Sequence, residues 1–296
     1  MLAPTRWRFR RPVAAAVTVV ALVLALALAV VMADRWNNET SMPIQGNVPS
    51  AITTADLTTV AHTRVFFGHQ SVGMNMLDAV PDIYTDHGVS APPIKQERTE
   101  PGANGGFIAH QFIGENTKPL LKVEDFNRTM RDGMGRQVDV ALMKFCSLDI
   151  TSSTDVDALF ARYRDTMAAL ERDFPHVTFI YMTVPLMTEP GSISRLKTRL
   201  KTLVGGSDRF GQPANLARER LNALIRREYA GRRHFFDLAA VESTKPDGTR
   251  VSGRYDNRGY FALYHGYAAD ICHLNPVGSK IAATAFLEAI AQASRN

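Results

Sequence analysis

The sequence predicts a three-layer α/β/α sandwich built on a mainly parallel sheet. Three observations lead to this fold class. Short apolar runs of strand length recur along the chain and are nearly continuous, as in parallel strands buried on both faces. Longer segments with apolar residues at helical spacing separate these runs. Strands that alternate with helices of this length are typical of βαβ units, in which helices cover both faces of the sheet.

Four segments are predicted to be strands. The first, residues 64–68, is short and rich in β-branched and aromatic side chains. Residues 138–145, 177–184 and 234–238 are the buried strands that follow, and Pro185 ends the middle one of these three. Because the carboxyl ends of parallel strands meet at one edge of a sheet, side chains that follow these strands are expected to lie close together.

Helices are predicted at residues 71–84, 117–131, 155–173, 214–229 and 276–293. Pro119 and Pro276 fall in first turns, where proline is tolerated, whereas Pro81 is expected to bend or end the first helix. Two long stretches, residues 187–213 and 243–269, do not follow the alternation. Both come after predicted strands, so we expect them at the carboxyl edge of the sheet, where open α/β sheets bind ligands.

The N-terminal residues have the composition of an export signal. Four arginines, at positions 6, 8, 10 and 11, precede an uncharged apolar run, residues 12–33. The run approaches the ~20 residues that span a bilayer, which favours an uncleaved membrane anchor, while Val31 and Ala33 also fit a cleavage site after Ala33. In either case the rest of the chain is expected to be exported, to the cell envelope or as a secreted protein. Residues 34–60 are predicted to be a polar spacer ending in a short helix, and residues 61–296 the folded domain.

Charge and histidine spacing exclude two kinds of ligand. The formal net charge is +5, and the four arginines near the N-terminus lie in a stretch without acidic residues, which leaves +1 for the remainder. No basic patch with interleaved aromatic residues is present, so nucleic acid is not expected as a partner. No two of the eight histidines have the spacing of a helical metal motif, and the two cysteines are not a Cys-x-x-Cys pair. Neither a metal nor another cofactor is therefore expected.

Two short segments, far apart in the sequence, carry groups suited to nucleophilic acyl transfer. Gly-His-Gln-Ser, at residues 68–71, places Ser71 where the first strand gives way to a helix. Asp-Ile-Cys-His, at residues 270–273, lies just ahead of the final predicted helix. Ser71 as nucleophile, His273 as general base and Asp270 as the orienting carboxylate would form a catalytic triad. Taken alone, Ser71 would be a plain helix cap, and its occurrence together with the second segment favours catalysis.

The two segments together resemble the SGNH (GDSL-like) hydrolase superfamily. In that family the nucleophilic serine follows the first strand, and an Asp-x-x-His block precedes the final helix, which Asp270, His273 and Leu274 match. Gly-His-Gln-Ser stands in place of the family's Gly-Asp-Ser and has one extra residue. The resemblance covers residues 64–296 and implies a flavodoxin-like strand order and a Ser-His-Asp mechanism.

The same resemblance implies an oxyanion hole made by the nucleophile's own N–H group, a glycine and an asparagine from middle loops. Ser71 supplies the first donor. Gly106 is the first candidate for the glycine of the oxyanion hole, and Gly105 and Gly114 are alternatives. The family's asparagine would follow the second predicted strand, where this chain has none. Asn75, one helical turn after Ser71, is the substitute donor, unless it is an ordinary residue of the helix surface.

Four further residues are expected to lie near the substrate. His69 and Gln70 flank the nucleophile, where they would contact substrate or hold the turn that carries Ser71. Lys144 and Asp149 lie on the loop after the second predicted strand, which should reach the same edge of the sheet.

The two cysteines lie on loops that converge in the implied fold. Cys146 follows the second predicted strand, and Cys272 lies between Asp270 and His273. In an exported protein this placement favours a Cys146–Cys272 disulfide, and two free buried thiols are the alternative. A bond requires the two Cβ atoms to approach within about 4.5 Å.

These features favour an exported serine esterase that acts on an acylated carbohydrate or a small ester. An O-acyltransferase that modifies an envelope polysaccharide would use the same triad and is one alternative. A non-catalytic envelope protein that binds a glycan or a protein partner is the other, because the first block is altered and the asparagine is missing. The membrane is the expected partner of the N-terminal segment.

Overall fold

The computed structural model describes residues 52–97, 105–191 and 209–295. Its helices are α1 (Thr54–Ala61), α2 (Ser71–Asp86), α3 (Pro119–Arg131), α4 (Val156–Asp173), α5 (Gln212–Tyr229), α6 (Leu238–Ser243) and α7 (Pro276–Ala293). Its strands are β1 (Arg64–His69), β2 (Ile94–Gln96), β3 (Phe107–Phe112), β4 (Val140–Met143), β5 (Thr178–Met182), β6 (His234–Phe236), β7 (Ser252–Tyr255) and β8 (Arg258–Phe261).

Six parallel strands form the central sheet in the order β2-β3-β1-β4-β5-β6. Without the edge strand β2, this is the strand order of flavodoxin-like folds. The switch point of such a sheet lies between β1 and β4, outside their carboxyl ends. Strands β7 and β8 form a separate antiparallel hairpin. The predicted α/β class and the flavodoxin-like order are confirmed.

Helices cover both faces of the sheet because side chains alternate between the faces along each strand. Val65 and Phe67 of β1 pack in one apolar core together with residues of α1, α2, α6 and α7. Phe66, between them, packs in a second core with residues of α3, α4 and α5. The sheet is therefore the middle of three layers, and each core is closed by its own set of helices.

Most predicted elements are present, with ends shifted by a few residues, and the principal omission is the strand β3. The stretch at residues 243–269, expected to be irregular, contains the end of α6 and the β7–β8 hairpin.

Helix α1 corrects the predicted boundary of the domain. Thr53 accepts the Asp56 N–H and Asp56 accepts the Thr53 N–H, which is a capping box that starts this helix. Leu57 and Val60 are fully buried in the core. The folded domain therefore includes residues from 52 onwards, and the predicted spacer up to residue 60 is too long.

Across the described residues, none of the helices has both the length and the apolar character that crossing a bilayer requires. The predicted signal or anchor at residues 1–33 and the rest of the spacer up to residue 51 lie outside the described ranges.

Candidate active site

The structure brings the three predicted triad residues together at the carboxyl edge of the sheet. Ser71 is the first residue of α2, which begins directly after β1. Its Oγ lies 3.0 Å from His273 Nε2. His273 Nδ1 lies 2.7 Å from Asp270 Oδ2. Ser71 and His273 are 202 positions apart in the chain, so the fold alone creates this contact.

The Asp270 carboxylate fixes the imidazole of His273 within a short turn. Asp270 Oδ1 accepts the N–H groups of Cys272 and His273, both at 2.8 Å. Partial burial acts to raise the pKa of Asp270, but the hydrogen bonds from Cys272 and His273 outweigh it and lower the pKa to about 2. An ionised carboxylate can only accept, so His273 donates through Nδ1 and turns the lone pair of Nε2 towards Ser71. This is the arrangement of a general base next to its nucleophile.

Two backbone N–H groups at the start of α2 are available to a negative charge. Gly73 and Met74 both donate to the carbonyl of Gln70, which closes the first turn of the helix. Among the described residues, nothing accepts a hydrogen bond from the N–H groups of Ser71 and Val72, which point out of the helix end. With the positive end of the helix dipole, they could stabilise an oxyanion on the carbonyl that Ser71 attacks.

Gly106 does not lie at this site, and its prediction as an oxyanion donor is wrong. It directly precedes β3, whose first residue pairs with Arg64 at the start of β1. A Cβ on Gly106 would come within 2.4 Å of the Ala61 carbonyl oxygen. Gly106 is therefore at the amino edge of the sheet, opposite Ser71, and the missed strand β3 explains the error.

Gly114 and Asn75 lie at the correct edge, and each makes one hydrogen bond within the protein. The Gly114 N–H donates to Asp125 Oδ2 at 2.8 Å. Asn75 Oδ1 accepts the Leu274 N–H at 3.3 Å and so ties α2 to the turn that carries His273. This contact uses the side-chain oxygen of Asn75, whereas an oxyanion donor would be Nδ2 of the same amide, so the predicted donor role stays a prediction.

Asp149 is buried beneath the site, and its predicted contact with substrate is wrong. Its carboxylate accepts the Cys146 N–H at 2.6 Å and the Thr117 N–H at 2.8 Å. It also forms an ion pair with Lys122, with Nζ 2.8 Å from Oδ2 and both side chains 0% exposed. Asp149 thus fastens the loops after β3 and β4 to α3.

Lys144 is also buried and does not reach the surface of the site, so its predicted contact with substrate is wrong. The residue is 1% exposed, and burial lowers the pKa of its ammonium to about 8. The nearby carboxylate of Glu242, in α6, acts in the opposite direction. Glu242 is likewise buried, and burial raises its pKa to about 8, against the Leu186 N–H and Lys144, which favour the charged form.

His69 and Gln70 hold the turn in front of Ser71. His69 is 0% exposed, so its predicted contact with substrate is wrong, whereas the alternative of a structural role agrees with its contacts. Its ring lies 2.8 Å from the Gln70 carbonyl and 3.1 Å from His110 Nδ1. The Gln70 amide donates to the carbonyls of Ile113 and Gly114, at 2.8 and 3.3 Å.

Cys146 and Cys272 are free thiols in the structure, so the predicted disulfide is absent and the alternative of free buried thiols is found. Each sulfur has a partner of its own: Cys146 Sγ accepts the Asp149 N–H, and Cys272 Sγ lies 3.7 Å from His273 Nδ1. Burial, with the negative charge of Asp270 and the neighbouring Cys146, raises the pKa of Cys272 to about 11.

One group of side chains at the site has the spacing of a metal centre. Asp270, Cys272 and His273 each offer a ligand atom within 4.8 Å of the others. The Asp270 and His273 atoms already bond to one another, and the raised pKa of Cys272 disfavours the thiolate that metal binding requires. These residues fit a triad better than a metal site.

No family model and no curated protein matches this chain. Similar solved structures include an acylhydrolase, provisionally assigned, from Bacteroides fragilis, with 13% identity, 88% of this chain and 95% of that chain covered, and a TM-score of 0.44. A provisionally assigned SGNH hydrolase from Slackia heliotrinireducens has 18% identity, 76% and 97% coverage, and a TM-score of 0.41. The periplasmic domain of a lipopolysaccharide acetyltransferase from Salmonella ser. Paratyphi A has 10% identity, 80% and 88% coverage, and a TM-score of 0.41. These similarities concern the fold alone. The catalytic interpretation rests on the geometry of Ser71, His273 and Asp270.

Proposed function

We propose that this protein is an exported serine esterase of the SGNH type that acts on an acylated carbohydrate or a small ester. The observation that carries the proposal is the continuous contact from Ser71 Oγ through the His273 ring to the Asp270 carboxylate. A serine at a helix N-terminus and a histidine held by an ionised acid are the parts that acyl transfer needs.

The proposed reaction has two halves that use the same groups. His273 Nε2 accepts the hydroxyl proton while Ser71 Oγ attacks the ester carbonyl, and the N–H groups of Ser71 and Val72 stabilise the oxyanion. His273 then gives its proton to the departing alcohol, which leaves an acyl-enzyme on Ser71. Water, deprotonated by His273, attacks the acyl carbonyl and releases the acid, which restores the serine hydroxyl and the neutral imidazole.

Acyl transfer would differ only in the group that attacks the acyl-enzyme, which would be a sugar hydroxyl of an envelope polysaccharide instead of water. Hydrolysis is the better supported outcome because the triad is open: the side chains of His273 and Asp270 are 37% and 54% exposed. Enzymes that must protect an acyl intermediate from water enclose it, whereas an exposed triad leaves the intermediate accessible to water.

A non-catalytic binding role is supported by the altered nucleophile block and by the glycine expected in the oxyanion hole. The Gly114 N–H already donates to Asp125 Oδ2, and Gly106 lies at the opposite edge of the sheet. A non-catalytic protein that binds a glycan would keep the contacts among Ser71, His273 and Asp270 but would not turn over substrate. The reactivity of Ser71 therefore distinguishes catalysis from binding.

Labelling with a fluorophosphonate probe tests the proposal. We expect the wild type to be labelled at Ser71, and the Ser71→Ala variant to lose labelling and roughly 10³-fold or more of its hydrolysis of p-nitrophenyl acetate. The exposed Ser153 provides a matched control, since Ser153→Ala should react like the wild type. An unlabelled wild type, or equal labelling of Ser71→Ala, contradicts catalysis and favours the binding role. Adding an oligosaccharide acceptor and analysing the products distinguishes hydrolysis from transfer.

The exported location rests on the four N-terminal arginines and the apolar run at residues 12–33. A fusion of residues 1–60 to alkaline phosphatase, which is active only outside the cytoplasm, tests it. An inactive fusion in a well-expressing strain would overturn this part of the proposal and leave the enzymatic part intact.

A further inference from the structure

The carbonyl group of Gln70 determines where α2 begins. It accepts the Gly73 N–H at 2.7 Å and the Met74 N–H at 3.4 Å. A third donor, His69 Nδ1, lies 2.8 Å from the same oxygen. Since Ser71 follows this carbonyl directly, the direction of the carbonyl also sets the direction of the Ser71 side chain.

The bonding pattern fixes the tautomers of two buried histidines. A carbonyl oxygen can only accept, so Nδ1 of His69 carries the proton, and Nε2 of the neutral ring is an acceptor. His110 Nδ1 lies 3.1 Å from this Nε2 and therefore donates to it. The hydrogen bonds run in one direction, from His110 to His69 to Gln70. Burial lowers the pKa of both rings, to about 3 for His69, so both are neutral at pH 7, as this chain of bonds requires.

Packing leaves the His69 ring one position. The ring is fully buried, with the rings of Phe67 and Phe112 at centroid distances of 4.7 and 5.1 Å. On its remaining side it lies against the first turn of α2, where a Cβ on Gly73 would come within 2.4 Å of His69 Cβ and Cγ. Only glycine leaves room for the ring, so His69 and Gly73 form one unit beneath Ser71.

We infer that His69, held in a single tautomer by His110, is a positioning residue that aims Ser71 at its general base. The inference rests on the proposed function and explains why Gly-His-Gln-Ser can serve as a nucleophile block. His69 has no exposed surface with which to touch substrate. Its effect therefore passes through the Gln70 carbonyl, and it should alter the rate of the chemical step rather than the binding of substrate.

Paired variants of His110 test the inference with the least disturbance to the fold. His110→Phe keeps a flat ring but loses the donor to His69, whereas His110→Asn keeps an N–H group at the position of Nδ1. For p-nitrophenyl acetate we expect His110→Phe to lower kcat roughly tenfold, the scale of a small misplacement of a reacting group, with KM within about twofold. His110→Asn should recover most of the loss. His69→Phe should lower kcat at least as much as His110→Phe.

Three results would overturn the inference. One is a kcat of folded His110→Phe or His69→Phe equal to that of the wild type, with folding checked by the melting temperature. Another is an increase in KM with little change in kcat. The third needs no activity: ¹⁵N NMR of the wild type should show His69 protonated at Nδ1, and a proton on Nε2 contradicts the proposed chain of bonds. If the wild type neither hydrolyses ester nor reacts with the fluorophosphonate, the proposed function fails, and the NMR result still decides the hydrogen-bond chain.

Discussion

The Asp149→Asn substitution should lower the melting temperature of the domain by roughly 10 °C. The Asp149 carboxylate receives the Lys122 ammonium and the N–H groups of Thr117 and Cys146, in a place where neither charged side chain is exposed. Asparagine has nearly the same shape but carries no charge. Lys122 would remain buried as an ammonium ion with the neutral side-chain oxygen of Asn116, 2.9 Å away, as its partner.

Breaking one side of a buried ion pair costs about 3–5 kcal/mol because the remaining charge has lost its compensation. In a domain of about this size each kcal/mol lowers the melting temperature by about 2–4 °C, which gives a decrease of about 6–20 °C. Differential scanning calorimetry measures it. Lys122→Met is the matched comparison. Its melting temperature should fall less than that of Asp149→Asn, because Asp149 keeps its hydrogen bonds from two backbone N–H groups. A melting temperature of Asp149→Asn within about 2 °C of the wild type, or the reverse order of the two variants, would refute this reasoning.

Two other substitutions have defined outcomes. Asp270→Asn places an amide against His273 Nδ1 and favours the wrong tautomer, so kcat/KM for p-nitrophenyl acetate should fall roughly 10³–10⁴-fold; a loss below tenfold would contradict the orienting role. Glu242→Gln should flatten the pH dependence of stability. Because burial raises the pKa of Glu242 from 4.5 to about 8, its contribution is complete below about pH 4.5 and is lost as the pH rises through about 8. The wild-type melting temperature should therefore fall more than that of the variant between about pH 5 and pH 9, and parallel curves would show that Glu242 does not titrate there.

Elements with strong local signals could be predicted from the sequence. Helix α7 is found at the predicted residues, because Pro276 suits its first turn and Asn275 caps it through the Gly278 N–H. Strand β3 was not predicted because His110 and Gln111 interrupt its apolar residues. The sheet tolerates this histidine because its ring bonds to His69, a contact that the sequence does not display.

The triad could be predicted for a topological reason. Ser71 begins α2 just after the end of β1, and His273 lies just before α7. In a parallel sheet covered by helices, both positions fall at the carboxyl edge of the sheet. Burial at that edge could not be predicted in the same way. Lys144 and Asp149 follow β4 as expected, but both lie inside, and Asp149 forms a buried ion pair with Lys122 of α3. Lys122 shows no local pattern that distinguishes it from a surface residue.

The hydrogen bond from Leu274 to Asn75 joins segments 199 positions apart and, with the contact of His273 to Ser71, connects the two halves of the site. A ribosome makes Ser71 early and His273 only after most of the domain has emerged. The nascent chain consequently holds Ser71 without its histidine partner through most of its synthesis, and the contact forms when α7 docks beside α2. Under the proposed mechanism, acquisition of esterase activity would therefore report that folding of this domain has finished.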